Sequence, residues 1–237
     1  MTEPVVAPGR PRGGRRDEIL ATFTRHIAER GYDRANLGDV AAELGMSKGT
    51  IVHHFGTKDR MLAEVQERYM RRRLDEAHAL LARLTAPEER IAAFVHAGVR
   101  YSTLEPATTV AFQREVVRLT DVPGMETARA QRDAYRDLVV AVLHEGEEAG
   151  VFAPGDARLR SLQMFGSLHW MWTWFDPQGR MTPEDVAAEF CRTLLRGLGV
   201  PDERGAAASD PHGAVARCVT EVLTHESPGT GVPGLVP

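Results

Sequence analysis

The sequence contains little lysine and little cysteine. Only two of its 29 basic residues are lysines, Lys48 and Lys58, and both lie in GMSKGTIVHHFGTKDR, Gly45 to Arg60. The two cysteines, Cys191 and Cys218, are too few for a disulfide framework, and they lack metal-ligand spacing with the histidines. We therefore expect inert thiols in a reducing compartment, no metal site and no cofactor.

Long hydrophobic runs and strand patterns are also absent. The longest stretch without a charge, SLQMFGSLHWMWTWF from Ser161 to Phe175, is shorter than the roughly 20 residues that span a bilayer. The N-terminus has no apolar segment typical of a signal peptide. No useful alternation of apolar and polar residues occurs, whereas helical spacing is frequent. We expect an all-α cytoplasmic protein without a membrane segment.

Positive charge is concentrated at the start of the chain. The formal net charge is −4, but residues 1–60 carry ten Lys plus Arg against eight Asp plus Glu, so their net charge is +2 and that of the remainder is −6. Residues 1–16 are rich in Arg, Gly and Pro, and we expect them to form a disordered basic arm. Such an arm either enters a DNA minor groove or is a solvated tail without a role.

Local signals predict a helix-turn-helix motif over residues 36–55. Asn36 is the expected N-cap of one short helix, and Ser47 is that of the next, after the turn Gly45-Met46-Ser47. In the second helix Ile51 and Phe55 fall on one face, and Gly49 and His53 fall on the other. This second helix is suited to the DNA major groove, which is about 12 Å wide.

The two lysines have related positions in this pattern. Lys48 is the first residue of the recognition helix, and Lys58, which follows the expected cap Thr57, is the first residue of the next helix. Helix N-termini attract phosphate through free amides and the helix dipole, and an ammonium group adds a compact charge. Both lysines are therefore predicted to bind the DNA backbone.

The segment GYDRANLGDVAAELGMSKGTIVHHFGTKDRML resembles the N-terminal domain of the TetR family of transcriptional regulators. The shared features are the Gly-aromatic pair, the capped second helix, the SKGT turn, the HF pair and the T-K-D start. The resemblance implies a three-helix DNA-binding domain over residues 17–60. It implies phosphate contacts at Asn36, Ser47, Lys48, Thr57 and Lys58, and base-edge or backbone contacts at Thr50, His53 and His54. Independently of the family, Gly49 has no side chain and lets the DNA backbone approach closely.

The motif departs from the family at Val52 and His53, where aromatic residues are most common. Phosphate contacts by a tyrosine hydroxyl therefore do not carry over to these positions. His53 and His54 are adjacent in sequence, so they diverge by about 100° on a helix and cannot chelate one metal ion together.

The family uses its C-terminal helices for dimerisation and for an effector pocket, and the resemblance extends more weakly over this part of the chain. We expect a ligand-binding and dimerisation domain over residues 61–200. Residues 201–237 are expected to be a loosely ordered tail with one short helix around Ala214 to Leu223. The segment WMWTWFDPQGRMTPEDVAAEFCRTLLRGL resembles actinobacterial regulators of steroid and fatty-acid breakdown, many of which respond to acyl-CoA thioesters.

A helix that is apolar on all sides must be covered by its own fold or by a second subunit. We therefore expect the tryptophan-rich helix to meet both an effector and a partner. The candidate effector-binding residues are Trp170, Met164, Leu168, Arg118 and Phe112. The candidate dimer-interface residues are Trp174, Phe190 and Leu194.

The charge of the effector stays open at this point. Arg100, Arg114 and Arg118 are candidates for binding the phosphates of a coenzyme A thioester, whereas Glu105 and Glu115 would suit a lipophilic cation.

These observations predict a homodimeric repressor that binds a near-palindromic operator in double-stranded DNA and is released by a small apolar effector, such as an acyl-CoA of lipid or steroid breakdown. One alternative is a regulator of an efflux gene that responds to lipophilic cations. Another is an architectural DNA binder without an effector. An enzyme is disfavoured, because the sequence contains no paired carboxylates, no His/Cys/Asp cluster at useful spacing and no phosphate-binding loop.

Overall fold

The structure is a computed structural model that describes residues 14–119 and 124–225. Within these ranges the chain is helical, with no strand. The α-helices are α1 Arg15–Arg30, α2 Leu37–Glu43, α3 Lys48–Phe55, α4 Lys58–Arg83, α5 Pro87–Leu104, α6 Pro106–Glu115, α7 Glu126–Glu148, α8 Ala157–His169, α9 Pro183–Gly197, α10 Asp202–Ser209 and α11 Ala214–His225. Short 3-10 helices, Val116–Leu119 and Trp170–Thr173, follow α6 and α8. The predicted all-α fold is confirmed.

The first three helices form a small domain, whose core also includes Ala111 of α6 and Ala128 of α7. Ile19, Phe23 and Ile27 of α1 lie on one buried stripe, and they pack with Val40 of α2 and Ile51 of α3. The start of α4 adds two further buried apolar residues, Met61 and Leu62, to this core. The helix-turn-helix unit is therefore anchored on α4, which continues into the second domain.

The predicted basic arm is too long at its C-terminal end. Helix α1 begins at Arg15, and both Arg15 and Arg16 belong to it. Both side chains form ion pairs there, Arg15 with Glu18 in the same helix and Arg16 with Glu64 of α4. The rest of the predicted arm, residues 1–13, lies outside the described residues.

Helices α4 to α11 form the larger domain. Helix α5 lies at its centre and contacts α7, α9 and α11, while α4 runs along α7. The core holds Phe94, Val139 and Leu143, and Leu195 of α9 packs into it. No helix in the described ranges combines the length and the hydropathy needed to cross a membrane.

The expectation of a loosely ordered tail after residue 200 is wrong for residues 202–225. Helix α11 corresponds to the short helix expected there, but it packs Val215, Val219 and Leu223 into the main core. These residues are four apart and form one buried stripe. The high content of Gly, Ala and Pro in this region makes the buried stripe difficult to recognise in the sequence. Helix α10 is an element that the sequence did not predict. The remainder of the predicted tail, residues 226–237, lies outside the described residues.

The tryptophan-rich run is not one continuous helix. Helix α8 ends at His169, and Trp170–Thr173 form a 3-10 turn. The expectation of one tryptophan-rich helix is therefore wrong, because a 3-10 turn has about three residues per turn and does not keep α-helical spacing. Helix α9 then starts with a capping box in which Thr182 and Asp185 bond each other's backbone amides.

Candidate DNA-binding surface and effector cavity

The turn between α2 and α3 fixes the orientation of the recognition helix. Gly45 has φ +62°, a conformation that favours glycine. The Ser47 hydroxyl accepts from the Thr50 amide at 3.1 Å, and Met46 packs against the cluster that contains Ile51. The predicted cap is therefore present. Because Ile51 and Phe55 are buried, α3 can turn only its other face outward.

That outward face carries the residues predicted to contact DNA. Lys48, Gly49, Val52 and His53 are exposed, whereas Thr50 and His54 are half-buried. A methyl group added at Gly49 would meet only the Ser47 hydroxyl, at 3.5 Å. The surface of α3 is therefore open at Gly49 for close approach of another molecule.

Two other predicted phosphate contacts act as helix caps in this structure. The Asn36 side chain accepts from the Gly38 amide at 2.8 Å, and the Thr57 hydroxyl accepts from the Arg60 amide at 3.2 Å. Both residues are exposed. Their predicted contacts with phosphate stay predictions, as do those of Ser47 and Lys48.

The two lysines differ in their surroundings, which the sequence did not indicate. Lys48 is exposed. Lys58 donates to the Tyr32 carbonyl at 2.5 Å and to the Asp33 carbonyl at 3.4 Å, and its ammonium lies 4.2 Å from the centre of the Tyr32 ring. Burial lowers the pKa of Lys58. In this structure Lys58 thus binds the turn between α1 and α2.

The same turn is held from the other side by α6 and the 3-10 helix after it. The Tyr32 amide donates to the Glu115 carboxylate at 2.8 Å. Arg118 donates to Glu115 and to Asp33, at 2.6 Å each. Arg118, a candidate effector contact from the sequence, therefore lies at the junction of the two domains. Its two carboxylate partners and the Tyr32 ring account for this position.

A cavity of about 290 Å³ lies within the larger domain. Its walls come from α4, α5, α6, α7 and α8. The lining residues are Tyr69, Met70, Arg73, Phe94, Gly98, Tyr101, Phe112, Gln113, Arg132, Tyr135, Arg136, Leu162, Phe165, Gly166, Leu168 and His169. This set is mostly aromatic and apolar, includes three arginines and contains no carboxylate.

Only two of the five candidate effector residues line this cavity. Phe112 and Leu168 do so, and Phe112 stacks on Tyr69 with ring centres 4.4 Å apart. Met164 is buried in the core beside the cavity, and Trp170 is 64% exposed because the 3-10 turn directs it outward. Because α8 ends at His169, Leu168 is still part of the helix that lines the cavity, whereas Trp170 lies beyond the end of that helix.

The cavity has a buried floor and an open mouth. Arg73 and Tyr101, on α4 and α5, are almost completely buried. Leu162 and Gly166 of α8 are exposed, and Arg132 and Arg136 of α7 are half-buried. The cavity therefore opens between α7 and α8, with the two arginines at this opening.

The other arginines considered for an anionic effector lie elsewhere. Arg100 binds Glu184 at 2.9 Å, and Arg114 donates to the Ala28 carbonyl of α1 at 3.0 Å. Arg132 and Arg136 lie at the opening instead, where Arg136 also pairs with Asp133 and Asp137 of its own helix. The sequence did not single out either arginine. Each forms part of a charged segment that is typical of a solvated helix face.

Polar groups within the cavity wall have unusual surroundings. Burial lowers the pKa of His169 to about 4, so its imidazole is neutral near pH 7.

Arg73 lies between two tyrosine rings, 3.7 Å from the centre of Tyr101 and 4.9 Å from that of Tyr69. A signal for Arg73 does exist in the sequence: Tyr69, Arg73 and Glu76 fall on one helical stripe with buried apolar residues.

The candidate dimer residues lie at an apolar surface on α8, α9 and the segment between them. Trp174 is 42% exposed and meets the edge of Phe190 at 6.2 Å, while Phe190 and Leu194 are partly buried. The exposed apolar side chains of these segments are Leu159, Leu162, Trp170, Trp172, Trp174 and Met181, of which Leu162 also lines the cavity. So many exposed apolar side chains are typical of a protein interface.

The described part of the chain contains no group of three or more His, Cys, Asp or Glu side chains that could hold a metal ion. His53 and His54 have ring centres 5.9 Å apart at an angle of 64°. Both cysteines are buried thiols, and burial raises the pKa of each.

Comparison with known proteins assigns the family. Residues 19–65 match the model for bacterial regulatory proteins of the tetR family. Residues 84–198 match the model for the tetracyclin repressor-like C-terminal domain. The chain belongs to the TetR family. It is therefore a DNA-binding transcriptional regulator, as the helix-turn-helix motif predicted, and not an enzyme.

Relatives of this TetR-family protein include repressors of known structure. The transcriptional repressor KstR2 of Mycolicibacterium smegmatis is 26% identical over 192 residues, which are 81% of this chain and 93% of that protein. The structure of KstR2 of Mycobacterium tuberculosis matches with a TM-score of 0.72 at 25% identity, over 78% of this chain and 95% of that one. AibR, solved in complex with isovaleryl coenzyme A and operator DNA, matches with a TM-score of 0.71 at 23% identity, over 79% of this chain and all of that one. The AibR match shows a shared fold.

Proposed function

We propose that this TetR-family protein is a cytoplasmic homodimeric repressor that binds a near-palindromic operator and is released from it by an acyl-CoA. The cavity lining carries this proposal. Aromatic and apolar walls suit an acyl group, and Arg132 and Arg136 at the mouth suit the phosphates of coenzyme A.

The cavity is large enough for only part of an acyl-CoA. Its volume of about 290 Å³ is at the lower end of the range for small-molecule sites, which is roughly 300–1,000 Å³. An acyl group fits inside, and the nucleotide part of coenzyme A then lies outside, against α7. AibR has this fold and forms a complex with isovaleryl coenzyme A, which supports a ligand of this class.

A lipophilic cation fits this cavity less well. No carboxylate lines it. Glu105 is already bound to Arg72 and Arg73, and Glu115 is bound to Arg118 and the Tyr32 amide. A cation would therefore meet no uncompensated negative charge, at a cost in desolvation.

Helix α6 provides the connection between effector and DNA. Phe112 and Gln113 line the cavity, and Glu115, at the end of the same helix, holds the Tyr32 amide of the DNA-binding domain. A ligand that displaces Phe112 thus moves the turn between α1 and α2. To loosen DNA binding a hundredfold, the effector must prefer the released form by about 2.7 kcal/mol.

In the dimer, two recognition helices would read two half-sites about 34 Å apart, one turn of DNA. The exposed apolar surface of α8 and α9 is the proposed dimer contact. Displacement of the turn in each subunit changes the distance between the two α3 helices, and the fit to successive major grooves is lost.

The test starts with selection of binding sites from random duplexes by the purified full-length protein. The selected duplex is then used in release assays with acyl-CoAs, with lipophilic cations and without ligand. Acyl-CoAs should release the DNA, and the double variant Arg132→Ala/Arg136→Ala should need at least tenfold more ligand while binding DNA normally. Release by cations alone would favour the efflux-type regulator, and release by neither class would favour the architectural DNA binder.

A further inference from the structure

We propose that Arg73 selects the effector by donating a hydrogen bond to a neutral oxygen, that of a ketone or a hydroxyl group, at the buried end of the acyl part. This inference rests on the proposed function of the cavity as the effector site. It adds a chemical requirement that the apolar walls alone do not impose.

The hydrogen bonding of Arg73 is incomplete. Its side chain is buried, with 2% of the residue exposed. Nη2 donates to Glu76 at 3.2 Å and lies 3.5 Å from Glu105. Nη1 has no hydrogen-bond partner among the described residues. An unsatisfied donor on a buried charged group is costly, so the cavity offers a site that an acceptor would stabilise.

The position of Arg73 places this acceptor at the floor. Arg73 lines the cavity from α4, and the Tyr69 and Tyr101 rings hold the guanidinium in place. Arg132 and Arg136 of α7 line the more exposed part of the same cavity. A thioester with its nucleotide at these arginines has its acyl group inside the cavity, where the buried Arg73 side chain forms part of the wall.

Charge balance determines the kind of acceptor. Arg72 and Arg73 are paired with Glu76 and Glu105, so the four side chains carry no net charge when all are ionised. A carboxylate on the ligand would add a buried negative charge without a partner, which is unfavourable. A ketone or hydroxyl oxygen accepts the hydrogen bond without changing this balance.

The direct test compares acyl-CoAs of equal chain length that differ only at the far end. One ends in a methyl group, one has an oxo group on the penultimate carbon, and one ends in a carboxylate. Calorimetry with the full-length protein should show the oxo compound binding about tenfold to a hundredfold more tightly than the methyl compound. The carboxylate compound should bind more weakly than the oxo compound.

Variants separate the floor from the mouth. Arg73→Lys keeps the positive charge beside Glu76 but loses the planar guanidinium group with its several N–H donors. This variant should lose most of the preference for the oxo compound. The double variant Arg73→Met/Glu76→Gln removes one positive and one negative charge, so the cluster stays neutral and no unpaired buried charge destabilises the fold. This double variant should bind both compounds alike. Arg136→Ala, at the mouth, should weaken both compounds by the same factor.

A spectroscopic measurement reports on the hydrogen bond itself. The infrared carbonyl band of an isotope-labelled oxo group should move to lower wavenumber when the ligand binds the wild-type protein. The shift should be absent in Arg73→Met/Glu76→Gln. A general loss of packing would weaken binding of both ligands but would not remove this difference selectively.

The outcomes distinguish this inference from the proposed function. Equal binding of the oxo and methyl compounds, with release of DNA by both, overturns the role of Arg73 and leaves the acyl-CoA assignment intact. If pantetheine thioesters without the nucleotide bind with the oxo preference but CoA thioesters do not bind, the role of Arg73 holds and the acyl-CoA assignment fails. Absence of binding by either series overturns both.

Discussion

The backbone amide of Tyr32 donates to the carboxylate of Glu115 across 83 residues of sequence, at 2.8 Å. Tyr32 belongs to the turn between α1 and α2, and Glu115 ends α6, the helix that contributes Phe112 to the cavity. The bond joins the wall of the cavity directly to the DNA-binding domain. Its removal is the most direct test of communication between the two.

Glu115→Ala should weaken the response to effector more than it weakens DNA binding. The variant loses the acceptor for the Tyr32 amide and one partner of Arg118, which should reduce stability by about 1–3 kcal/mol. The measurements are thermal unfolding and the effector concentration that releases half of the bound operator. Glu189→Ala, an exposed acid on α9, serves as the control. An unchanged release concentration in Glu115→Ala would show that the signal takes another route.

Lys48→Ala and Lys58→Ala should each weaken DNA binding without changing the preferred site. Each lost phosphate contact should reduce the slope of log affinity against log salt by about one. Only Lys58→Ala should also lower the melting temperature, because Lys58 binds the Tyr32 carbonyl while Lys48 is exposed. Selection from random duplexes checks the site, and an altered site preference would contradict phosphate contact.

The stability of the protein should fall between pH 6.5 and pH 4, partly because of His169. Burial lowers the pKa of His169 to about 4 in the folded state, whereas an unfolded histidine titrates near pH 6.5. The unfolded state binds the proton first as pH falls, so folding is favoured fully above about pH 6.5 and progressively less below it. The loss is on the order of 3 kcal/mol at most.

The comparison for His169 is the free energy of unfolding in urea, measured across this pH range for the wild type and for His169→Gln. The variant should have a flatter pH dependence. Burial also lowers the pKa of His96, so some dependence should remain. Identical pH profiles for the two proteins would be incompatible with a neutral buried His169.

Leu223→Ala should destabilise the larger domain by about 2–4 kcal/mol. The residue is 1% exposed in α11, within the main core. The exposed neighbour His225 provides the control, since His225→Ala should change stability by less than about 0.5 kcal/mol. Denaturant unfolding measures both. Equal stability of the two variants would mean that α11 does not belong to the folded core.

A charge introduced on α8 should disrupt the dimer. Leu159 is 58% exposed within the apolar surface proposed as the dimer contact, and Leu104, at the end of α5, is 43% exposed outside it. Leu159→Glu should shift the mass measured by light scattering toward the monomer and reduce operator affinity, because a buried unpaired charge is unfavourable. Leu104→Glu should remain dimeric. A dimeric Leu159→Glu variant would place the interface elsewhere.

The sequence by itself determined the DNA-binding domain of the molecule. The caps at Asn36, Ser47 and Thr57 and the stripe of Ile51 and Phe55 act over one or two helical turns. Interactions of such short range can be read from spacing alone. The helix-turn-helix motif followed from them, and the resemblance of this segment to the TetR family implied the family.

Tertiary structure decided the cavity, the junction between the two domains and the packing of α10 and α11. Tyr69 and His169 share one cavity although α5, α6 and α7 lie between their helices. From the sequence alone, Arg118 could equally have faced a ligand. In the structure it binds Asp33, which lies on the turn between α1 and α2 and is far from Arg118 in sequence. Such contacts depend on how helices cross and where they end, which periodicity along a single helix does not specify. The packing of α11 likewise became visible only with the surface of α4 and α5 that it covers.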